Sequence, residues 1–292
     1  MKLFLSLFLF GLSFTSFAQT KDQLIQSIID YNVLDSDCIG IACSKSPQYE
    51  NFQKLKKMIS KEELLELSKH QNPVLRTYIQ IELINTGHDV PKILSYELSR
   101  NDTIDTQDGC LGNFDLTSEI VYKTYRGKVL LGSITKNDDE KTIQVKIKKA
   151  IEQDSTMKIL DSIMIYSDQE LSNYRYLYIF ENRKFDVKDL PQIEKMAFKK
   201  NNFFAFKYLI SNNPEYQSKI ENYLQNDFIN ANFESYNKAG HIEAFIKYLL
   251  ETNKNEYKNI AIDKLRKDKS WKEFSHFMEG ILKEHHINPE NI

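Results

Sequence analysis

The spacing of apolar residues between Ser60 and Leu98, in SKEELLELSKHQNPVLRTYIQIELINTGHDVPKILSYEL, constrains this chain more than any other stretch. Leu64, Leu65 and Leu67 give a first helix its apolar side, and Ser60 followed by Glu63 reads as a capping box at its start. Asn72 and Pro73 end that helix and begin another, because proline fits a first helical turn and cannot continue the turn before it. Leu75, Tyr78, Ile79 and Leu83 then recur at helical intervals, and Gly87 falls where a helix can stop in a left-handed conformation. The spacing predicts an antiparallel helix pair with a short connection, followed by the next helix.

The run Asn72, Pro73, Val74, Leu75, Arg76, with Leu83 and Gly87 after it, resembles the apolar-then-arginine signature of HEAT repeats and their later leucine and glycine. Bulky Tyr78 and Ile79 stand where that family often has alanine, a departure that bears on how the helices pack. An internal echo points the same way. KKNNFFAFKYLISNNPEYQSKIENYL, from Lys199, matches KAGHIEAFIKYLLETNKNEYKNIAIDKL, from Lys238, with Lys207, Tyr208 and Leu209 aligned to Lys247, Tyr248 and Leu249 at an offset of 40. Glu215 and Tyr216 align to Glu256 and Tyr257 one residue later. A period near 40 is that of two-helix solenoid units.

The resemblance implies an all-α fold: an α-solenoid of HEAT/armadillo-like helical hairpins in which residues 19–100 and 155–292 form one continuous array around an irregular middle segment, 101–154. The run Lys45 to Phe52 with Leu55 and Lys56, the Gly109, Cys110 loop, and Leu160, Asp161, Ser162 also look like a group of uncharacterised exported bacterial proteins with HEAT-like repeats. What that likeness implies is export and a helical-repeat shape, with no substrate attached.

The middle segment mixes signals. Gly109, Gly112, Gly127 and Gly132 punctuate it, and Ile143, Val145 and Ile147 alternate as a strand does. Yet Leu116, Ile120, Val121 and Tyr125 are spaced for a helix, and a lone hairpin in a helical array has no sheet to join. The expectation is a long loop around Gly109, then less regular helices. Downstream, Trp271, Phe274, Phe277, Met278, Ile281 and Leu282 predict one last helix with a single apolar face.

At the N-terminus, Lys2, the apolar run Leu3 to Phe10, and Ser16, Phe17, Ala18 before Gln19 have the three parts of a secretory signal cleaved after Ala18. No later stretch suggests a membrane span, so the expected location is periplasmic or extracellular. The formal net charge of −2 lacks the basic footprint that nucleic-acid binding requires. The expected partner is therefore a protein, a peptide or an envelope component held by the curved surface of a non-catalytic scaffold.

Three cysteines bear on an exported chain. Cys38, Cys43 and Cys110 allow three single pairings, each leaving one thiol over. Cys38 with Cys110 is the preferred disulfide, since it pins the N-terminal segment onto the long loop; three small buried thiols are the alternative. The competing function is an enzyme with its site around Asp108, Cys110 and Asp115, using Cys110 as a thiol nucleophile, although no histidine lies in that segment.

No cofactor or metal site is expected. The six histidines include no H-E-x-x-H arrangement, and His285 and His286 read as solvated tail residues. Asp102, Asp105 and Asp108 lack the spacing and closing glutamate of a calcium loop. Asp102, Thr103, Ile104 resembles a bacterial O-glycosylation triplet, which makes Thr103 a glycosylation candidate in an exposed loop, ahead of Ser162 in a helix.

Overall fold

The structure, a computed structural model, describes residues 19–181, 183–233, 236–252 and 254–292. The expected signal segment, 1–18, lies outside the described residues. The fold is mostly helical and contains a small four-stranded sheet. The chain divides into two compact units: one holds residues 19–88 and 102–120, the other residues 89–101 and 121–292.

The first unit begins with α1 (Lys21–Tyr31), closed at its start by a reciprocal capping box between Thr20 and Gln23. Asn32 ends it at a φ of 55°, a left-handed conformation that asparagine tolerates better than most residues. The chain turns into β1 (Val33–Ile39) and the short β2 (Ser44–Lys45). Then come α2 (Pro47–Lys56), α3 (Lys61–Leu67) and α4 (Pro73–Asn85). Ser60 and Glu63 form the expected capping box on α3, and Asn72 caps α4 just ahead of Pro73.

The all-α expectation needs correction here. Residues 103–116 fold as a hairpin, β3 (Thr103–Gly109) and β4 (Leu111–Leu116), and the sheet runs β2-β1-β3-β4. β1 and β3 are parallel, with Val33 opposite Asp105 and Ile39 opposite Gly109, while the outer pairs are antiparallel. A hairpin is unstable alone and stable with a third strand. That strand comes from residues 33–39, far back in the sequence, where no local period reveals it. Leu34 of β1 and Ile104 of β3 are buried and share one face of the pair.

Polar links fasten this sheet to its helices. Tyr78 of α4 is buried and stacked on Phe52 of α2, with ring centres 4.8 Å apart. Its hydroxyl accepts from the Asp35 backbone N–H and donates to the Asp35 carbonyl, both at 2.8 Å. The tyrosine that departs from the HEAT pattern is thus the residue that docks β1. Arg76 is fully buried; its guanidinium donates to the His70 carbonyl at 2.8 Å and pairs with Asp102, just before β3, at 2.5 Å.

The second unit starts with α5 (Val90–Arg100), so the unit boundary separates the last helix of the Ser60 to Leu98 stretch from the two before it. After the hairpin come α6 (Thr117–Ser133), whose first turn belongs to the sheet unit, and α7 (Glu140–Gln153). The stretch 101–154 is therefore regular: a hairpin and two helices. Asp139 caps α7, and Ile143, Ile147 and Ile151 share one side of it, while Val145 is exposed, so the apparent alternation of residues 143–147 was a helical face with one outlier.

The helices α8 (Ser155–Tyr166), α9 (Asn173–Glu181), α10 (Leu190–Lys199), α11 (Phe203–Asn212), α12 (Gln217–Asn222), α13 (Tyr236–Glu251) and α14 (Asn255–Lys267) follow. The Lys-Tyr-Leu echo sits on α11 and α13, which pack together; Lys207 and Lys247 are exposed, Leu209 and Leu249 buried. The second helices of the two segments differ. α14 is continuous, whereas α12 gives way after six residues to a π-turn at Tyr223–Asp227. Phe203, Phe206, Tyr223, Phe228 and Phe233 all surround the Phe245 ring at 4.8 to 6.2 Å.

The expected single last helix is two short ones, α15 (Trp271–Phe274) and α16 (Met278–Glu284). Ser275 breaks it, because its hydroxyl accepts from the Met278 N–H and donates to Glu243. Trp271, Met278 and Leu282 stay buried, and Phe277 is left exposed.

Candidate functional site

The end of the sheet gathers most of the chemistry-bearing residues of the first unit. β3 and β4 join through Gly109 and Cys110, with Asp108 opposite Leu111 across the turn. Gly109 has a φ of 54°, the left-handed conformation that a tight hairpin turn requires at its first central residue and that costs glycine nothing. Beside it, the β1–β2 connection carries Gly40, whose backbone N–H donates to the Gly109 carbonyl at 2.7 Å.

The cysteines correct the expected pairing. Cys38 bonds to Cys43, five residues on, and Cys110 is a free, exposed thiol. The reason is local: β1 and β2 are antiparallel neighbours, with Cys38 opposite Lys45, so the turn at Gly40 brings Cys43 back alongside Cys38. The preferred Cys38–Cys110 disulfide rested on a long loop that the chain replaces with a hairpin.

β4 is an edge strand: it pairs with β3 on one side and with no strand on the other among the described residues. Its Leu111 and Phe114 are 66% and 69% exposed, and Ile41 in the neighbouring loop is 97% exposed. The carboxylates of Asp37, Asp105 and Asp108 on the same sheet are exposed. Asp105 is directly opposite Phe114.

The other expected residues fall as follows. Thr103 is exposed, in the first position of β3 opposite Leu116, and so belongs to a strand rather than a loop. Asp102 faces Arg76, and Asp115 accepts from the Thr106 hydroxyl at 2.7 Å. Asp108, Cys110 and Asp115 share the hairpin, and no hydrogen bond or ion pair links the thiol to a base among those described. No group of three or more metal-binding side chains occurs among the described residues, and none of the described helices is long and apolar enough to cross a membrane.

Two buried polar groups whose environment the sequence does not reveal belong to the second unit. Asp161, beside the Ser162 of the second glycosylation triplet, is almost fully buried; its carboxylate accepts from the Tyr122 hydroxyl at 2.6 Å and from Arg183 Nε and Nη2 at 2.7 and 2.6 Å. Burial outweighs the Arg183 charge and raises this carboxyl to about 6. His241 is buried against Tyr176 and Phe204, and burial lowers it to about 4, which keeps the ring neutral and able to accept from the Phe203 N–H at the start of α11. Both groups hold elements together. Periodicity alone gives no sign of them, since each occupies a helical core position.

No protein-family model, no curated protein and no solved structure gives a significant match to this chain.

Proposed function

We propose that this is an exported, non-catalytic binding protein, in which HEAT-like helical hairpins carry a small sheet whose open edge receives an extended segment of a protein partner. The observation that carries the reading is β4: an edge with no strand partner among the described residues, on which Leu111 and Phe114 are exposed to solvent. Long or apolar edges are usually shortened, charged or covered, because they template strand addition; an edge left apolar is suited to that use. Main-chain hydrogen bonds along β4 supply affinity, and the carboxylates of Asp37, Asp105 and Asp108 favour a segment bearing lysine or arginine.

Export is supported by the three-part N-terminal pattern and by a disulfide, which persists in oxidising compartments. The repeat architecture is supported by the packed pair α11 and α13 and their matching Lys-Tyr-Leu faces.

The test attaches a photo-activated benzophenone to Cys110 and irradiates the mature protein in envelope extract. The expected result is a discrete cross-linked partner that disappears when Leu111→Asp and Phe114→Asp are introduced. The partner segment is then synthesised with alternate backbone amides methylated, which should abolish binding. A cross-link pattern unchanged by the two aspartates, or full affinity of the methylated peptide, overturns the reading.

A further inference from the structure

All three cysteines meet at one end of the sheet, two joined and one free. Cys38 lies at the end of β1 and Cys43 in the turn after it; Cys110 follows Gly109 at the end of β3. β1 and β3 are adjacent, Ile39 is in register with Gly109, and the Gly40 N–H donates to the Gly109 carbonyl. Adjacent strands are about 5 Å apart, so the turn that carries Cys110 and the loop that carries the disulfide are immediate neighbours. Nothing in a packed core encloses them, since Gly40, Ile41, Ala42, Cys43 and Cys110 are all exposed.

We propose that this sheet end is a thiol–disulfide exchange site. The Cys110 thiolate attacks one sulfur of the Cys38–Cys43 bond; a bond forms between Cys110 and that sulfur as the old S–S bond breaks. The other cysteine leaves as a thiolate and takes a proton from water. One disulfide and one thiol are present before and after, so no external oxidant or reductant is consumed. Attack requires a thiolate with access to the disulfide, and exposure of Cys110 and of the Cys43 end of the disulfide provides that access.

The two isomers present different surfaces. With Cys38 bonded to Cys43, Ile41 sits in a closed six-residue loop. After exchange that loop is open and one of its ends is tied to the β3–β4 turn. The exchange depends on the cysteines alone and holds whatever segment docks on β4.

The experiment uses the full mature chain. Samples held at pH 7 and pH 8 are quenched in acid, denatured, alkylated with N-ethylmaleimide and mapped by mass spectrometry without reduction. The expected result is label that moves from Cys110 to Cys38 or Cys43, faster at the higher pH because the thiolate is the attacking species, at a rate independent of protein concentration. Two further variants, Cys38→Ser and Cys43→Ser, each keep Cys110 and one of its candidate partners. With oxidised glutathione, at least one of them should close an intramolecular disulfide as a monomer. Label confined to Cys110 in the parent, together with only glutathione adducts or dimers in both variants, overturns the proposal. Label transfer whose rate scales with protein concentration overturns it as well.

Discussion

The two units hold themselves together by different means. In the helical unit, the aromatic side chains around Phe245 do the packing, and each ring contacts several others edge-on or tilted, as ring quadrupoles favour. In the sheet unit, the strands are short and rich in aspartate, and the links that fix them are few and directional: Tyr78 on the Asp35 backbone, Ser46 on the Asp35 carboxylate at 2.6 Å, Arg76 on Asp102. A cluster of apolar contacts degrades gradually, whereas a directional link fails when one partner is removed. The difference also frees the sheet unit to leave Leu111, Phe114 and Ile41 outside, since its order does not depend on burying them.

The largest effect should come from the aromatic cluster. Phe245 is fully buried, so Phe245→Ala opens a cavity among five rings and should cost about 4 kcal/mol in denaturant unfolding. Trp271, the single tryptophan, is buried in the same unit with its indole N–H donating to the Leu265 carbonyl at 3.0 Å, and its fluorescence reports the loss. An effect under half that size means the rings repack and the cluster is softer than described.

Next is the most directional link of the sheet unit. Arg76→Ala removes a buried cation and leaves Asp102 and the His70 carbonyl without it. Asp102 keeps some contact with solvent, so the cost should fall at the low end for a broken buried pair, about 3 kcal/mol. Hydrogen exchange at β1 and β3 amides measures it. Unchanged protection there removes Arg76 as the fastener of the hairpin.

How far the sequence showed these features follows the range over which each signal acts. Caps and helix starts depend on residues three or four apart, so Ser60 with Glu63 and Asn72 with Pro73 were readable at once. The hairpin was not, because β3 is stabilised by β1, seventy residues earlier, and the aspartates of TIDTQDG mask its alternation. Arg76 was read as part of a repeat signature; its partner Asp102 was read as part of a loop, and only the fold joins them. The cysteine pairing failed for the same reason, since Cys38 and Cys43 meet through a β1–β2 turn that exists only once the sheet does. The exposed edge was invisible as well: Leu111 and Phe114 look like core residues until the strand order is known.

The helical unit is not wholly apolar, and Asp161 measures how much one of its buried carboxylates matters. The folded chain holds the Asp161 proton up to about pH 6, whereas an ordinary aspartate releases it near 3.8. The folded state therefore binds more protons across that window. The contribution is fully present below pH 3.8 and is lost as the pH rises through about 6. Unfolding free energy should fall by about 2 kcal/mol across this range, beyond the trend of the other carboxylates. Asp161→Asn removes that slope, though it also weakens the hold on Arg183, so the slope and not the absolute stability is the readout. A slope of opposite sign means that the Arg183 charge outweighs burial.

The smallest effect belongs to the sheet edge. Phe114 makes its exposed face available to solvent and supports no core, so Phe114→Ser should change unfolding free energy by under about 0.5 kcal/mol. Its role should be separable from folding: the same substitution that leaves stability alone should remove partner capture at Cys110. A loss of stability comparable with that of Phe245→Ala would place Phe114 in a packed interface within the chain and close the edge of β4 to any partner. Unchanged stability with unchanged capture would leave the edge open but unused. The contrast between a ring that holds the fold and a ring that the fold holds out is therefore measurable in one pair of variants.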